Sequence, residues 1–147
     1  MNGLEELGLR NRRAVSFTAI PREPIDRFRR WVIEGVIRGR RLIALFGMPE
    51  SAGQTLLLAV LADDDAGVLG ASATVVGDSY AALTSECPEA HLFEREIAEQ
   101  CAVIPTGHPW LKPVRRHPPD HVPANGKVQP LDREAYPFFQ FAGEEVH

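Results

Sequence analysis

The stretch LIALFGMPESAGQTLLLAVLADDDAGVLGASATVV, residues 42–76, decides the fold of this chain. It contains three apolar runs, residues 42–48, 54–62 and 68–76. Pro49 to Gly53 separates the first two runs, and Asp63–Asp64–Asp65 with Gly67 separates the last two. Short apolar runs divided by such turn residues are typical of strands joined by tight connections. The stretch therefore predicts a β-hairpin with a third strand, in a largely antiparallel sheet.

A helix is predicted just before this sheet, over residues 24–39. Pro24 suits a first helical turn, and Gly39 suits the end of a helix. The apolar residues between them recur at intervals of three and four, as on one face of a helix: Ile25, Phe28, Val32 and Val36. Most of the arginines fall on the opposite, solvent-facing side: Arg27, Arg29, Arg30 and Arg38.

Residues 13–20, ahead of this helix, are predicted to form the first strand. Val15, Phe17 and Ala19 alternate with polar residues, and Pro21 ends the run. Alternation of this kind is typical of a half-buried strand.

A second helix is predicted over residues 89–100, after a turn-like segment at residues 79–88. Leu92, Ile97 and Cys101 lie roughly along one face of that helix, and Pro105 follows its end. The order strand, helix, hairpin with an extra strand, helix predicts an α+β fold. We expect two layers, with a mostly antiparallel or mixed sheet covered by two helices, in a domain over residues 1–112.

Residues 113–147 are predicted to form an extended, proline-rich tail. Prolines this frequent disfavour both helix interiors and central strands. Near its end the tail carries four aromatic residues: Tyr136, Phe138, Phe139 and Phe141. Aromatic area of this size favours a contact, either with the tail's own domain or with a partner protein.

Composition is that of an ordinary globular protein, with 44% hydrophobic and 24% charged residues. Its apolar runs are far shorter than the roughly 20 residues of a membrane span, and the first residues do not resemble a signal peptide. Cys87 and Cys101 stand alone, which predicts reduced thiols and a cytoplasmic location.

Charge is distributed unevenly, because ten arginines fall within residues 1–50 and acidic residues dominate the rest of the chain, for a net charge of −4. Aromatic residues are not interleaved with these arginines, so no nucleic-acid binding is expected. A solvated helix face or an acidic protein partner explains them better.

The most informative motif is EREIAEQCAVIPTGHPWLK, residues 94–112. It resembles the signature of the thirty-kilodalton subunit family of NADH dehydrogenase (respiratory complex I), in which Glu-Arg-Glu opens a helix, an acidic residue follows three positions on, and Gly-His-Pro comes after. The matching residues are Glu94, Arg95, Glu96, Glu99, Gly107, His108 and Pro109, with Lys112 at the usual basic position. Residues 79–84, SYAALT, also resemble the family's segment before the helix. The resemblance extends over roughly residues 13–116.

This resemblance implies a non-catalytic scaffold in a complex-I-like NADH dehydrogenase or a membrane-bound nickel–iron hydrogenase. Such a scaffold braces the catalytic large subunit beside an iron–sulfur subunit and carries no cofactor itself. It lies peripherally on the cytoplasmic side of the inner membrane, through its complex, without a membrane span of its own. No catalytic, cofactor-binding or metal-binding residue is therefore assigned.

Two features refine the resemblance. Cys101–Ala102 stands where the family commonly has a Phe-Gly or similar pair, and Gln100 replaces an apolar residue. The last residues, 136–147, resemble the linker that opens the large-subunit region in formate hydrogenlyase and hydrogenase-4 type proteins. The chain is then either a split version of that fusion or a fragment ending at its junction.

The residues alone leave other functions open. His108 with Glu96 or Glu99 could serve a stand-alone small enzyme or ligand-binding domain, and a paralogue recruited as a regulator is a third possibility. His117 and His121 with Asp120 have the spacing of a zinc pair, but Pro118 and Pro119 favour a loop there. The three aspartates at residues 63–65 are interpreted as a charged hairpin tip rather than a cation site.

Overall fold

The computed structural model describes residues 9–10 and 13–114. In this part of the chain two helices pack on a four-stranded sheet, and a two-stranded sheet lies beside them. The helices are α1 (Ile25–Ile37) and α2 (His91–Cys101). The strands are β1 (Leu9–Arg10), β2 (Arg41–Pro49), β3 (Thr55–Asp63), β4 (Val68–Val76), β5 (Ser79–Ala81) and β6 (Ile104–Thr106). The predicted α+β class is confirmed.

The main sheet has the order β1-β4-β3-β2, and all of its neighbouring strands are antiparallel. Strands β2, β3 and β4 form the predicted meander, within one residue of the predicted bounds. A register shift between Leu42 and Ala44 marks an irregularity in β2. The sheet follows from the apolar runs, which bury one row of side chains against the helices.

The strand predicted at residues 13–20 is wrong. This segment contains a short 3-10 turn at Phe17–Ala19, and residues 13–19 are all exposed. The outer edge of β4 is occupied instead by β1 and by the backbone of Pro21 and Glu23, which hydrogen-bonds to Ala73. Three alternating apolar residues form a strand only if a sheet edge is available for pairing. Here that edge of β4 is already occupied.

The core lies between the two helices and one face of the main sheet. Phe28, Trp31 and Val32 of α1 pack with Leu57 and Leu61 of β3 in one buried cluster. That cluster also contains Ile97 and Cys101 of α2, so both helices cover the same face. Each fully buried side chain of this kind contributes about 1.5–3 kcal/mol.

Helix α2 approaches β2 closely where its last turn meets Gly47. A Cβ at residue 47 would lie 2.6 Å from Cys101 Sγ, so only glycine leaves room for this contact. The helix ends at Ala102, whose φ of 53° and ψ of 32° are left-handed.

Sequence patterning missed the small parallel sheet of β5 and β6. Three-residue strands have too few positions to display alternation, and β6 contains Pro105. The pairing of Tyr80 with Pro105 places the segment before α2 beside the segment after it. As a result, the residues on both sides of α2 converge on its first turns.

Candidate functional site

Helix α2 buries charged residues along part of its surface. Glu94, Arg95 and Glu99 are all buried, whereas Leu92 is exposed. Leu92, which the sequence places roughly along one face with Ile97 and Cys101, is thus not buried with them. The predicted apolar stripe is interrupted because specific hydrogen bonds, and not apolar packing alone, orient this helix.

Glu94 ties the helix to the loop that follows β5. Its carboxylate accepts hydrogen bonds from Leu83 N at 2.7 Å, Thr84 N at 3.0 Å and Thr84 Oγ1 at 2.6 Å. Three donors satisfy a carboxylate that would otherwise be costly to bury. Nearby, burial and then the charge of Glu94 raise the pKa of the Tyr80 hydroxyl above its ordinary value.

Arg95 binds the backbone just after the Gly-His-Pro motif. Its Nε donates to Lys112 O at 2.6 Å and its Nη2 to Pro113 O at 2.8 Å. The guanidinium also lies 4.9 Å from the ring centroid of Trp110. These are two charge-assisted hydrogen bonds and one cation–π contact. Backbone carbonyls are the acceptors in both of these hydrogen bonds.

Glu99 binds the next residue along the chain, because its Oε2 accepts a hydrogen bond from Val114 N at 2.8 Å. Arg95 and Glu99 together bind backbone groups of three consecutive residues, 112–114, here called the exit segment. Contacts with α2 therefore continue to Val114, the last residue that the structure describes. Glu96, in contrast, accepts a hydrogen bond from its own helix, from Gln100 Nε2 at 2.6 Å.

The Gly107–His108–Pro109 motif forms the turn between β6 and the exit segment. Gly107 has a φ of +84°, a left-handed conformation that glycine adopts without strain. His108 Nδ1 accepts from Trp110 N at 3.1 Å, which leaves its Nε2 as the donor to His91 O at 3.2 Å. Both ring nitrogens of His108 thus bind backbone groups and fix the turn to the start of α2.

His91 completes an aromatic cluster with His108 and Trp110. Its ring centroid lies 5.2 Å from that of His108 and 5.9 Å from that of Trp110. Partial burial lowers the pKa of His91, and the nearby charge of Arg95 lowers it further. The ring therefore stays neutral to lower pH than an ordinary histidine.

Glu96, Glu99 and His108, the residues of the predicted enzyme or ligand site, have different surroundings. Glu96 lines a cleft of about 200 Å³ between α2 and β2, together with Phe46, Phe93 and Cys101. His108 is not part of that lining. Glu99 and His108 instead each bind backbone groups of the turn and exit segment.

Two of the three aspartates at residues 63–65 have structural roles in and near the hairpin turn. Asp64 binds Arg41 through two hydrogen bonds of 2.8 Å, which lower the pKa of Asp64, and Asp63 accepts from Ala66 N within the hairpin turn. No group of three or more His, Cys, Asp or Glu residues suited to a metal occurs among residues 9–10 and 13–114. The possible zinc pair of His117 and His121 lies outside the described residues.

The tail aromatics predicted to dock on the domain or on a partner also lie outside them: Tyr136, Phe138, Phe139 and Phe141.

Arginines of the first third of the chain are largely paired with acidic residues of this same chain. Arg29 lies partly buried and bridges Ala82 O and Glu86, although its position predicts the solvated side of α1. Arg22 pairs with Glu50. The arginine-rich surface is thus partly neutralised within the domain.

Sequence reasoning missed Thr84 and Trp110 as parts of the site. Thr84 lies in the segment that resembles the family, but nothing in its spacing indicates that it binds Glu94. Trp110 directly follows the Gly-His-Pro motif. Its position between His108 and Lys112 was the available sign that its ring could contact a basic side chain.

No protein-family model matches this chain, and no curated protein matches it either. The resemblance to the thirty-kilodalton subunit family therefore stays a prediction. In the described part of the chain, no helix combines the length and apolar character needed to cross a membrane.

Proposed function

We propose that this chain is a non-catalytic scaffold of a complex-I-like NADH dehydrogenase or a membrane-bound nickel–iron hydrogenase. One observation carries the proposal: the charged residues of the signature are engaged inside the domain, where they hold its exit segment. Glu94 binds the loop after β5, and Arg95 and Glu99 bind residues 112–114. In a scaffold, such contacts set the direction in which the chain continues toward a large subunit.

This use of charge suits bracing better than catalysis. A general acid or base has to present an ionisable atom to a substrate. The carboxylate of Glu94 and both nitrogens of His108 are directed at backbone groups instead. The same contacts rigidify the first turns of α2 and the turn that follows β6, as an assembly surface requires.

An exposed apolar patch beside the signature supports a protein partner. Leu92, Trp110 and Leu111 are exposed around the start of α2 and the turn. Tryptophan is enriched among the residues that dominate binding energy at protein interfaces. We propose this patch as the contact with the catalytic large subunit, on the cytoplasmic side of the membrane.

Purification of the tagged chain from its native cells tests the proposal. A tag at Met1 is used, and the co-purified proteins are identified by mass spectrometry. Recovery of a catalytic large subunit with an iron–sulfur subunit is the expected result. A chain recovered without any such subunit would remove the basis for the scaffold.

Two matched variants locate the contact. Leu92→Asp places a charge in the proposed patch, whereas Ile37→Asp places one at an equally helical, exposed position at the end of α1. We expect Leu92→Asp to reduce recovery of the large subunit by about tenfold and Ile37→Asp to leave it unchanged. Equal recovery with both variants would exclude the patch as the contact while leaving the scaffold itself open to the purification test.

A further inference from the structure

Strand β2 forms one edge of the main sheet. Among the described residues its only strand partner is β3, whereas the outer edge of β4 is occupied by β1. In an antiparallel pair, alternate residues direct their backbone N–H and C=O groups toward the neighbouring strand, and the others direct them away. Residues 44–48 pair regularly with β3 and carry none of the charged side chains that commonly protect an edge. The outer side of β2 therefore presents backbone groups with which an added strand can pair.

A cleft of about 200 Å³ runs along this edge, between β2 and α2. Its α2 side consists of residues that recur at intervals of three and four, as on one helical face: Phe93, Glu96, Ile97, Gln100 and Cys101. Its β2 side consists of four consecutive residues, 44–47, whose side chains point alternately to the two faces of the sheet. The cleft therefore follows the edge of the strand rather than one face of the sheet.

The cleft combines an apolar floor with one acidic side chain. Leu45, Ile97 and Cys101 are only 2–3% exposed and form the floor. Glu96 is partly exposed and is the only charged residue among the described residues that line the cleft. The lining thus complements an apolar side chain that lies next to a positive charge.

We propose that an extended segment of a partner protein pairs with the outer edge of β2 and places an apolar side chain in the cleft, with a lysine or arginine two positions away facing Glu96. Alternate side chains of an added strand face the same side, so both reach the α2 side of the cleft. The cleft is smaller than the roughly 300–1,000 Å³ typical of small-molecule pockets, and it suits a side chain of such a strand. In this mode of recognition, main-chain hydrogen bonds supply affinity and the pockets for alternate side chains supply specificity.

Peptide selection against the purified full-length chain tests the proposal. The probe is a phage-displayed library of random nine-residue peptides, which match the length of β2. We expect enriched sequences that carry a lysine or arginine two positions from an apolar residue. Amide hydrogen exchange then locates the site, because the bound peptide should slow exchange within residues 44–48 at least about tenfold.

N-methylation of the selected peptide distinguishes strand pairing from contact through side chains alone. Each methyl group removes one backbone donor, as a proline does. Only every second residue of an added strand donates a hydrogen bond to β2. We therefore expect methylation at alternate positions to weaken binding about tenfold, and methylation at the intervening positions to change it less than about twofold.

Two glutamate variants test the charge. Glu96→Arg reverses the charge at the cleft and should weaken binding of the selected peptide at least about tenfold. Glu34→Arg makes the same change on α1, outside the lining of the cleft, and should leave the affinity within about twofold. Circular dichroism confirms that each variant is folded. If Glu96→Arg unfolds, Glu96→Gln replaces it, with an expected weakening of about threefold.

Several outcomes would overturn the proposal. They are no enriched sequence, enriched sequences without a basic residue, protection outside β2 and α2, equal effects of N-methylation at every position, or an affinity that the change at Glu96 leaves unaltered. Exchange within residues 44–48 that is already slow without peptide would also overturn it, because a second copy or another segment of the chain then covers the edge. The peptides contain no subunit of a redox complex, so each of these outcomes leaves the proposed scaffold function untouched.

Discussion

Arg95 stabilises the domain as a single residue that binds three groups at once. Its guanidinium joins α2 to Lys112 O, Pro113 O and the Trp110 ring. The residue is 8% exposed, so solvent does not replace these partners when the side chain is removed. A single charged residue therefore fixes residues 110–113 to α2.

We expect Arg95→Ala to lower the free energy of unfolding by about 2–4 kcal/mol, because two charge-assisted hydrogen bonds are lost and two carbonyls lose their donors. Chemical denaturation measures this change. Arg38→Ala is the control, since Arg38 is exposed and pairs with Glu34 one turn away, which predicts a change below about 0.5 kcal/mol. Equal effects of the two substitutions would contradict a stabilising role for the contacts of Arg95.

His91 makes the stability of the domain depend on pH. Its pKa in the folded chain is lowered from about 6.5, first by partial burial and then by the charge of Arg95. Between the folded pKa and 6.5 the unfolded chain thus binds more protons at this residue. The contribution is fully present above pH 6.5 and is lost as the pH falls through the folded pKa.

Replacement of His91 by glutamine should reduce the dependence of stability on pH below about pH 6.5. Thermal unfolding of the wild-type chain and of His91→Gln, followed from about pH 5 to pH 8, measures the difference. The two curves should lie closer together at the acidic end than above pH 6.5, because the glutamine does not titrate. Parallel curves over this whole range would show that His91 does not contribute to the slope.

At the scale of elements, the C-terminal end of α2 has an unusual backbone conformation. Ala102 holds a left-handed conformation that costs a residue with a Cβ roughly 1 kcal/mol relative to glycine. The chain tolerates the alanine because the buried Cys101 and Val103 on either side fix the backbone by packing.

Ala102→Gly should accordingly raise the free energy of unfolding by about 0.5–1 kcal/mol, since relief of backbone strain exceeds the loss of one methyl group. The opposite sign is expected for Ala98→Gly, in the interior of the same helix, where glycine costs about 1 kcal/mol. Denaturant titration of both variants gives the comparison. Destabilisation by both would mean that the methyl group of Ala102 matters more than its backbone angle.

At the scale of the whole molecule, Cys87 and Cys101 report on one shared core. Both are buried and belong to the cluster that joins the two helices to the sheet. Burial, followed by the nearby Glu89, raises the pKa of the Cys87 thiol to about 11. Burial also raises the pKa of Cys101.

Alkylation at pH 8 should therefore be slow at both thiols, and at Cys87 at least about 100-fold slower than for a free cysteine, because the thiolate is scarce and covered. Mass spectrometry of the chain treated with iodoacetamide measures the two rates. In denaturant both thiols should react at the rate of free cysteine. Fast labelling of native Cys87 alone would indicate local opening near residue 87 rather than a single core.

Patterning predicted the elements that are long enough to display a period. Residues 42–76 contain three apolar runs divided by turn residues, so the meander followed from the sequence alone. The same holds for α1, whose apolar stripe is regular. Residues 13–20 display only a partial alternation. The edge of β4 that they could have joined is occupied by β1 and by the backbone of Pro21 and Glu23.

The sequence by itself determined the α+β class, the meander, both helices and the residues of the signature, because hydrophobic period and turn chemistry are local properties. Only the tertiary structure decided which groups those residues bind. Glu94 meets Thr84, and Arg95 meets Lys112 and Pro113, because the parallel pairing of β5 with β6 brings both flanks of α2 together. Such contacts join residues 10 to 18 positions apart, and no local pattern encodes them.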